Sequence, residues 1–248
     1  MGFGDWPQRY RAGDREGVWA ELSGLGADVR DTEIQTQAQS VCDEMALRAR
    51  YNVRLLERHL KAEGFVFHSN DDQRTPVDPF RPASPEAPRL LAWLEMELGP
   101  VPLVLSSWLR LVGDVWLVGT HPAWPELSGA DPLVIELEGS RYPDMEMSEY
   151  FASEHEAWAE EAAHNPGAGS FVLPVSPDRL HKANLSGGQP YGFRIPCSDA
   201  DGVFTAPAEM SFVSYLNLVL ENGGFAAWPP GDAMARLKNR LADGMLAL

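Results

Sequence analysis

Apolar positions are densest between Leu90 and Leu137, and their spacing divides that stretch into four elements. Leu90, Leu91, Leu94 and Leu98 repeat at the helical period, with Glu95 and Glu97 turned away. Gly99 can adopt the left-handed conformation that ends this helix, and Pro100 cannot continue it. Leu105, Trp108, Leu109 and Val112 mark a second helix, which Gly113 stops. Val115 to Val118 and Leu133 to Leu137 are apolar runs too short for helices, the second opened by the turn pair Asp131-Pro132. Helices feeding a sheet in this order predict an α+β fold: a central antiparallel or mixed sheet flanked by helices, with an N-terminal helical extension.

The strongest single helix is predicted from Thr32 to the stop at Gly64. Ile34, Ala38, Val41, Met45, Ala49, Val53, Leu56 and Leu60 track one face. Thr32 and Gln35 have capping-box spacing. Arg48, Arg50, Arg54, Arg58 and Lys61 fall in its later half, where cations suit the helix dipole, and read as a solvated face or as partners for acids elsewhere. Residues 1–31 are weakly patterned, with Trp6 and Trp19 as candidate anchors, and Phe65 to Phe67 reads as a strand. Pro76, Pro79, Pro82, Pro85 and Pro88 recur every third residue, the period of a polyproline II ridge. The pattern divides the chain into a helical extension (1–68), a proline-rich linker (69–89) and an α+β domain (90–248). Within that domain a helix over Tyr142 to Ala163 turns Met147, Phe151, Trp158 and Ala162 inward. Strands follow at Phe171 to Val175 and Tyr191 to Ile195. A helix from about Met210 to Glu221 and a short one capped by Asp232 complete it.

Charge changes the picture more than composition does. The net charge is −16, and residues 83–169 hold 15 acids against 3 bases. Such a chain lacks the clustered Lys and Arg that phosphate binding needs, so nucleic acid is an unexpected partner and a basic protein an expected one. The helix over Tyr142 to Ala163 carries seven acids and no Lys or Arg. Glu146, Glu149, Glu154, Glu156, Glu160 and Glu161 are therefore the candidate partner-binding residues. Apolar runs are too interrupted to span a membrane, and the first residues lack the apolar core of a secretory signal. With only Cys42 and Cys197, far apart, the expected location is the cytoplasm.

The best cluster for chemistry is Asp178, His181, Lys182, Asn184, Ser186 and Tyr191, which sets an acid, a base and a cation beside a Gly-Gly turn. It lacks the full phosphate-loop spacing and has no adjacent nucleophile. The same residues also explain a tight hairpin. His121, Trp124 and Asp131 are candidates to line a cleft. The histidines have no metal-ligand spacing, so neither a metal nor a cofactor is expected.

The succession Trp93-Leu94-Glu95, Leu98-Gly99, Pro102, Leu105 to Val112, Gly113 and Val115 to Val118 resembles the opening of the SUKH superfamily. That superfamily includes bacterial immunity proteins and a yeast regulator of cell-wall synthesis. HKANLSGGQPYGFRIP and SFVSYLNLVLENGGFAAWP resemble a group of uncharacterised bacterial proteins filed near it. The resemblance implies a non-enzymatic protein that binds and neutralises a toxin domain, such as a basic nuclease. About eighty residues before the signature depart from the usual pattern. An enzyme or a small-molecule or anion binder using the loop from Asp178 to Tyr191 is the alternative expectation.

Overall fold

The computed structural model describes residues 5–121, 130–140, 144–206, 208–228 and 231–248. It is an α+β fold with three small antiparallel sheets. Three helices open the chain: α1 (Trp6–Ala12), α2 (Arg15–Leu25) and, after a 3-10 turn (Gly26–Arg30), α3 (Thr32–Ala62). Asp5 caps α1 by accepting from the backbone N–H of Gln8, and Gly13 closes it in the left-handed conformation at φ 110°. Trp6 is buried and donates to Glu21 at 2.7 Å, while Tyr10 meets Trp19 edge to face. These aromatics pin two short helices whose periodicity is weak.

The long helix α3 buries the face its spacing predicts, from Ile34 through Val41, Met45 and Val53 to Leu60. Each such wholly buried large apolar side chain contributes roughly 1.5–3 kcal/mol. Its start differs from the expected capping box. Asp31 is the N-cap, and its backbone carbonyl receives the N–H groups of Ile34 and Gln35. The cations of its later half are distributed rather than gathered. Arg48 pairs with Glu44 and Lys61 with Glu57, one turn back on the same helix. Arg50 donates to the carbonyl of Leu111, and Arg54 lies over the ring of Phe80.

Beyond α3 come β1 (Val66–Phe67), β2 (Phe80–Pro82), α4 (Ala87–Glu97), α5 (Leu103–Leu111), β3 (Gly113–Trp116), β4 (Gly119–Thr120) and β5 (Val134–Ile135). Strand β1 pairs with β4, and β3 sits between β2 and β5. The proline-rich stretch therefore does several separate jobs. Pro76 bridges to His68, Pro82 opposes Gly113 across the sheet, and Pro88 lies in the first turn of α4. Gly113 is required at that crossing: φ is 100°, and a Cβ there would lie 2.3 Å from both the Arg81 carbonyl oxygen and the Ala83 nitrogen.

The remaining elements are α6 (Met147–His164), β6 (Phe171–Ser176), α7 (Arg179–Lys182), β7 (Tyr191–Ile195), β8 (Val203–Thr205), β9 (Glu209–Ser211), α8 (Phe212–Glu221) and α9 (Asp232–Ala242). Strands β6 to β9 form a four-stranded meander, and Glu136, just past β5, donates its backbone N–H to Val175 of β6. Phe193, Phe204 and Phe212 pack with ring centroids 4.7–5.3 Å apart beneath α8. One buried cluster runs from Trp6 to Leu248 and takes side chains from the extension, the proline-rich stretch and the later elements alike. Among the described residues no helix is long and apolar enough to cross a membrane.

One half-buried carboxylate gives this fold a pH signature. Asp201 accepts the N–H of Val213, at the start of α8, on both oxygens at 3.3 Å. Burial nevertheless pushes its pKa from 3.8 up to about 6, against the hydrogen bonds from Ser211 and Val213. An acid raised on folding adds no penalty below its unfolded pKa, and its penalty grows as pH climbs through the folded value. Stability should therefore fall between about pH 4 and pH 6 by roughly 1–3 kcal/mol from this group. Asp201→Asn should flatten that part of the urea-denaturation profile while the rest keeps its shape.

Candidate functional site

The acidic helix α6 starts at Met147, with Glu146 as an extended N-cap residue. It is fixed by a narrow apolar stripe. Met147 and Phe151 are buried, His155 stacks on Trp158 at 5.4 Å and meets Phe171 of β6 edge on, and Trp158 donates to the carbonyl of Gly169. The rest of the helix is wet. Glu146, Glu149, Glu156, Glu160 and Glu161 are exposed and Glu154 is half-buried. Among the described residues none of the six carboxylates meets a Lys or Arg. Unrelieved like charges at helical spacing cost a few tenths of a kcal/mol per pair, so this face opposes the helix that carries it. Glu146 also borders an open groove of about 740 Å³, walled by Arg81, Arg89, Trp93, Glu138 and Met145.

The late polar cluster is divided between two sets of partners. Asp178 caps α7, accepting from the N–H groups of Leu180 and His181 and from the His181 ring. Burial pushes the Asp178 carboxyl up, but the His181 ring and the Leu180 N–H outweigh it and hold it below the ordinary value. His181 is half-exposed on its outer side. Lys182 turns inward, donating to Asp131 at 2.7 Å with both side chains essentially inaccessible. Tyr191 donates to the other oxygen of Asp131 at 3.1 Å, and the Lys182 ammonium lies 4.7 Å from its ring centre. Burial lowers the Lys182 pKa against the pull of Asp131, and burial followed by the Asp131 charge raises that of Tyr191. Asn184 donates to Asp72 at 2.7 Å, and Ser186 is exposed on the turn. The Gly-Gly pair allows close packing, since a Cβ at Gly188 would lie 2.7 Å from the Asp178 carboxyl carbon.

Sequence reasoning put Asp131 in a cleft-lining loop and missed its role as counter-ion to Lys182, 51 residues away. It also missed His68. That side chain is 8 % exposed, and its Nδ1 hydrogen-bonds the Ser69 carbonyl at 2.6 Å. Its Nε2 is buried and without a hydrogen-bond partner. His68 lines a cavity of about 40 Å³ with Phe65, Thr120, Pro132, Lys182 and Asn184, room for a water or two. The three non-glycine residues at positive φ among those described, Arg74, Asp131 and Asn184, lie on or next to its wall. His121 lies beside Gly64, and Trp124 falls outside the described residues. Both cysteines are free thiols, and no group of three metal-ligating side chains occurs among the described residues.

Comparison with protein families, with curated proteins and with solved structures finds no match.

Proposed function

We propose that this protein is a non-enzymatic interaction protein of the SUKH kind that binds and neutralises a basic toxin domain, such as a nuclease, in the cytoplasm. The observation that carries the reading is the exposed, unpaired carboxylate face of α6, from Glu146 to Glu161, which destabilises its own helix. A basic partner relieves that repulsion and is drawn in by it. Trp93 and Met145, in the groove at the start of the helix, offer the rigid and the adaptable apolar contact area that interfaces favour. Neutralisation then follows from occlusion of the toxin and requires neither metal nor cofactor. The test is inactivation of a basic toxin domain encoded beside this gene. Stoichiometric loss of toxin activity is expected; a toxin that binds nothing and keeps full activity at saturating protein removes the reading.

The buried, unpartnered Nε2 of His68 supports a second reading, a small-molecule or anion site at the loop from Asp178 to Tyr191. It predicts that inorganic phosphate at 100 times its dissociation constant stabilises the protein by about 2.7 kcal/mol. His68→Gln should cut that stabilisation. A thermal midpoint indifferent to millimolar phosphate rejects phosphate as the ligand.

A further inference from the structure

Residues 245–248 lie across α3 and α8 as a bound peptide would. Asn52 of α3, wholly buried, donates its amide to the Leu246 carbonyl at 2.8 Å and accepts the Leu246 N–H at 2.8 Å. Asn217 of α8 repeats the arrangement two residues further along, accepting the Leu248 N–H at 3.0 Å and donating to its carbonyl at 3.4 Å. Leu248 is buried at 3 % exposure and Met245 packs on the core, while Leu246 and Ala247 face outward. Each asparagine thus reads both backbone groups of one residue, at alternate residues, and apolar contact fixes only one or two side chains.

We infer that the surface between α3 and α8 is a docking site for an extended peptide with apolar anchors three residues apart, as at Met245 and Leu248, held shut here by the chain's own residues 245–248. Backbone recognition of this kind accepts any extended segment whose anchoring side chains fit. Asparagine in the middle of a helix is a weak helix former, and a wholly buried amide must be paired. At Asn52 both amide groups are committed to this one short segment. Tyr51 beside Asn52, Leu47 one turn earlier and Leu218 beside Asn217 are exposed large apolar side chains, as is Leu246 of the seated segment. Gly244, at φ 75°, and the exposed Asp243 join the segment to α9 and supply the hinge.

A tethered segment competes at an effective concentration of about a millimolar, so an added peptide meets a closed site in the unaltered protein. The probe is a fluorescein-labelled peptide of residues 243–248, titrated into the full chain and into full-length Leu248→Asp, which loses the buried anchor and keeps both asparagines. Binding at least about tenfold tighter to the variant is expected, and adding Asn217→Ala should abolish it. Equal or absent binding to folded Leu248→Asp overturns the inference. Should that variant not fold, amide hydrogen exchange of the unaltered protein decides. The Leu246 and Leu248 amides should exchange at least about 100-fold faster than that of Leu56 in α3, through local opening. Exchange only as slow as the α3 core would make the segment inseparable from the fold and would overturn the docking site.

Discussion

Asp131→Asn is expected to lower the unfolding free energy by about 3 kcal/mol at pH 7, read by urea denaturation. The substitution keeps a side chain that tolerates the left-handed backbone at this position, where φ is 53°. It also keeps an acceptor for Tyr191 and removes only the charge. What remains is the Lys182 ammonium with no accessible surface and no counter-ion. Breaking a buried pair from one side costs more than the pair is worth, because the orphaned charge keeps its desolvation penalty. Burial already depresses Lys182, and without Asp131 to oppose it the folded protein binds fewer protons there than the unfolded chain. The sign follows: a depressed lysine favours folding increasingly as pH rises toward its unfolded value, so the deficit should shrink between pH 7 and pH 9. Lys182→Met added to Asp131→Asn should restore most of the loss, since an apolar side chain of similar length fills the same space. A single variant within 1 kcal/mol of the unaltered protein, or a double variant no better than the single, would mean that the pair does not hold the late loop in place.

Much of the helical framework was legible in the residues because helical burial is a local periodicity. The face of α3 from Ile34 to Leu60 and the inward Met147 and Phe151 of α6 follow from spacing alone. Helices α1 and α2 were not, because a few aromatics, Trp6 and Tyr10 above all, do the packing that a stripe of leucines would announce. The short strands were harder. Phe80 to Pro82 sits inside a run of prolines at polyproline spacing, yet burial of Phe80 against β3 makes it sheet. Exposure of the glutamates on α6 could be read directly, since so many carboxylates on one helix have no apolar refuge. Lys182 and Asp131 could not be paired from the sequence. Their meeting depends on the paths of β5, β6 and α7, and Asp131-Pro132 signals only a turn. The peptide-like clamp was hidden for the same reason: Asn52 and Leu246 stand 194 positions apart.

The largest functional effect expected is kinetic. Changing Glu154, Glu156, Glu160 and Glu161 together to lysine halves the net charge of −16 and inverts the field on one face of α6. Steering by such a face raises association rates 10- to 1000-fold at low ionic strength, so the association rate with a basic toxin domain should fall by at least about tenfold in 20 mM salt. At 0.5 M salt exposed charges are screened within a few ångströms, and the two proteins should associate at similar rates. Dissociation should change much less, because rim charges act on encounter while contacts with Trp93 and Met145 in the groove beside Glu146 govern residence. Net charge alone must be separated from position. The matched control reverses Glu16, Asp28, Glu33 and Asp243, exposed acids on other elements, and should lower the rate only slightly. The helix itself should change little, since the Glu156 and Glu160 repulsion at i,i+4 spacing is exchanged for an equivalent one between two lysines, worth a few tenths of a kcal/mol either way. Stopped-flow association at the two salt concentrations separates the outcomes. A control that slows binding as much as the α6 variant would leave global charge as the cause and would take the acidic face out of the interface.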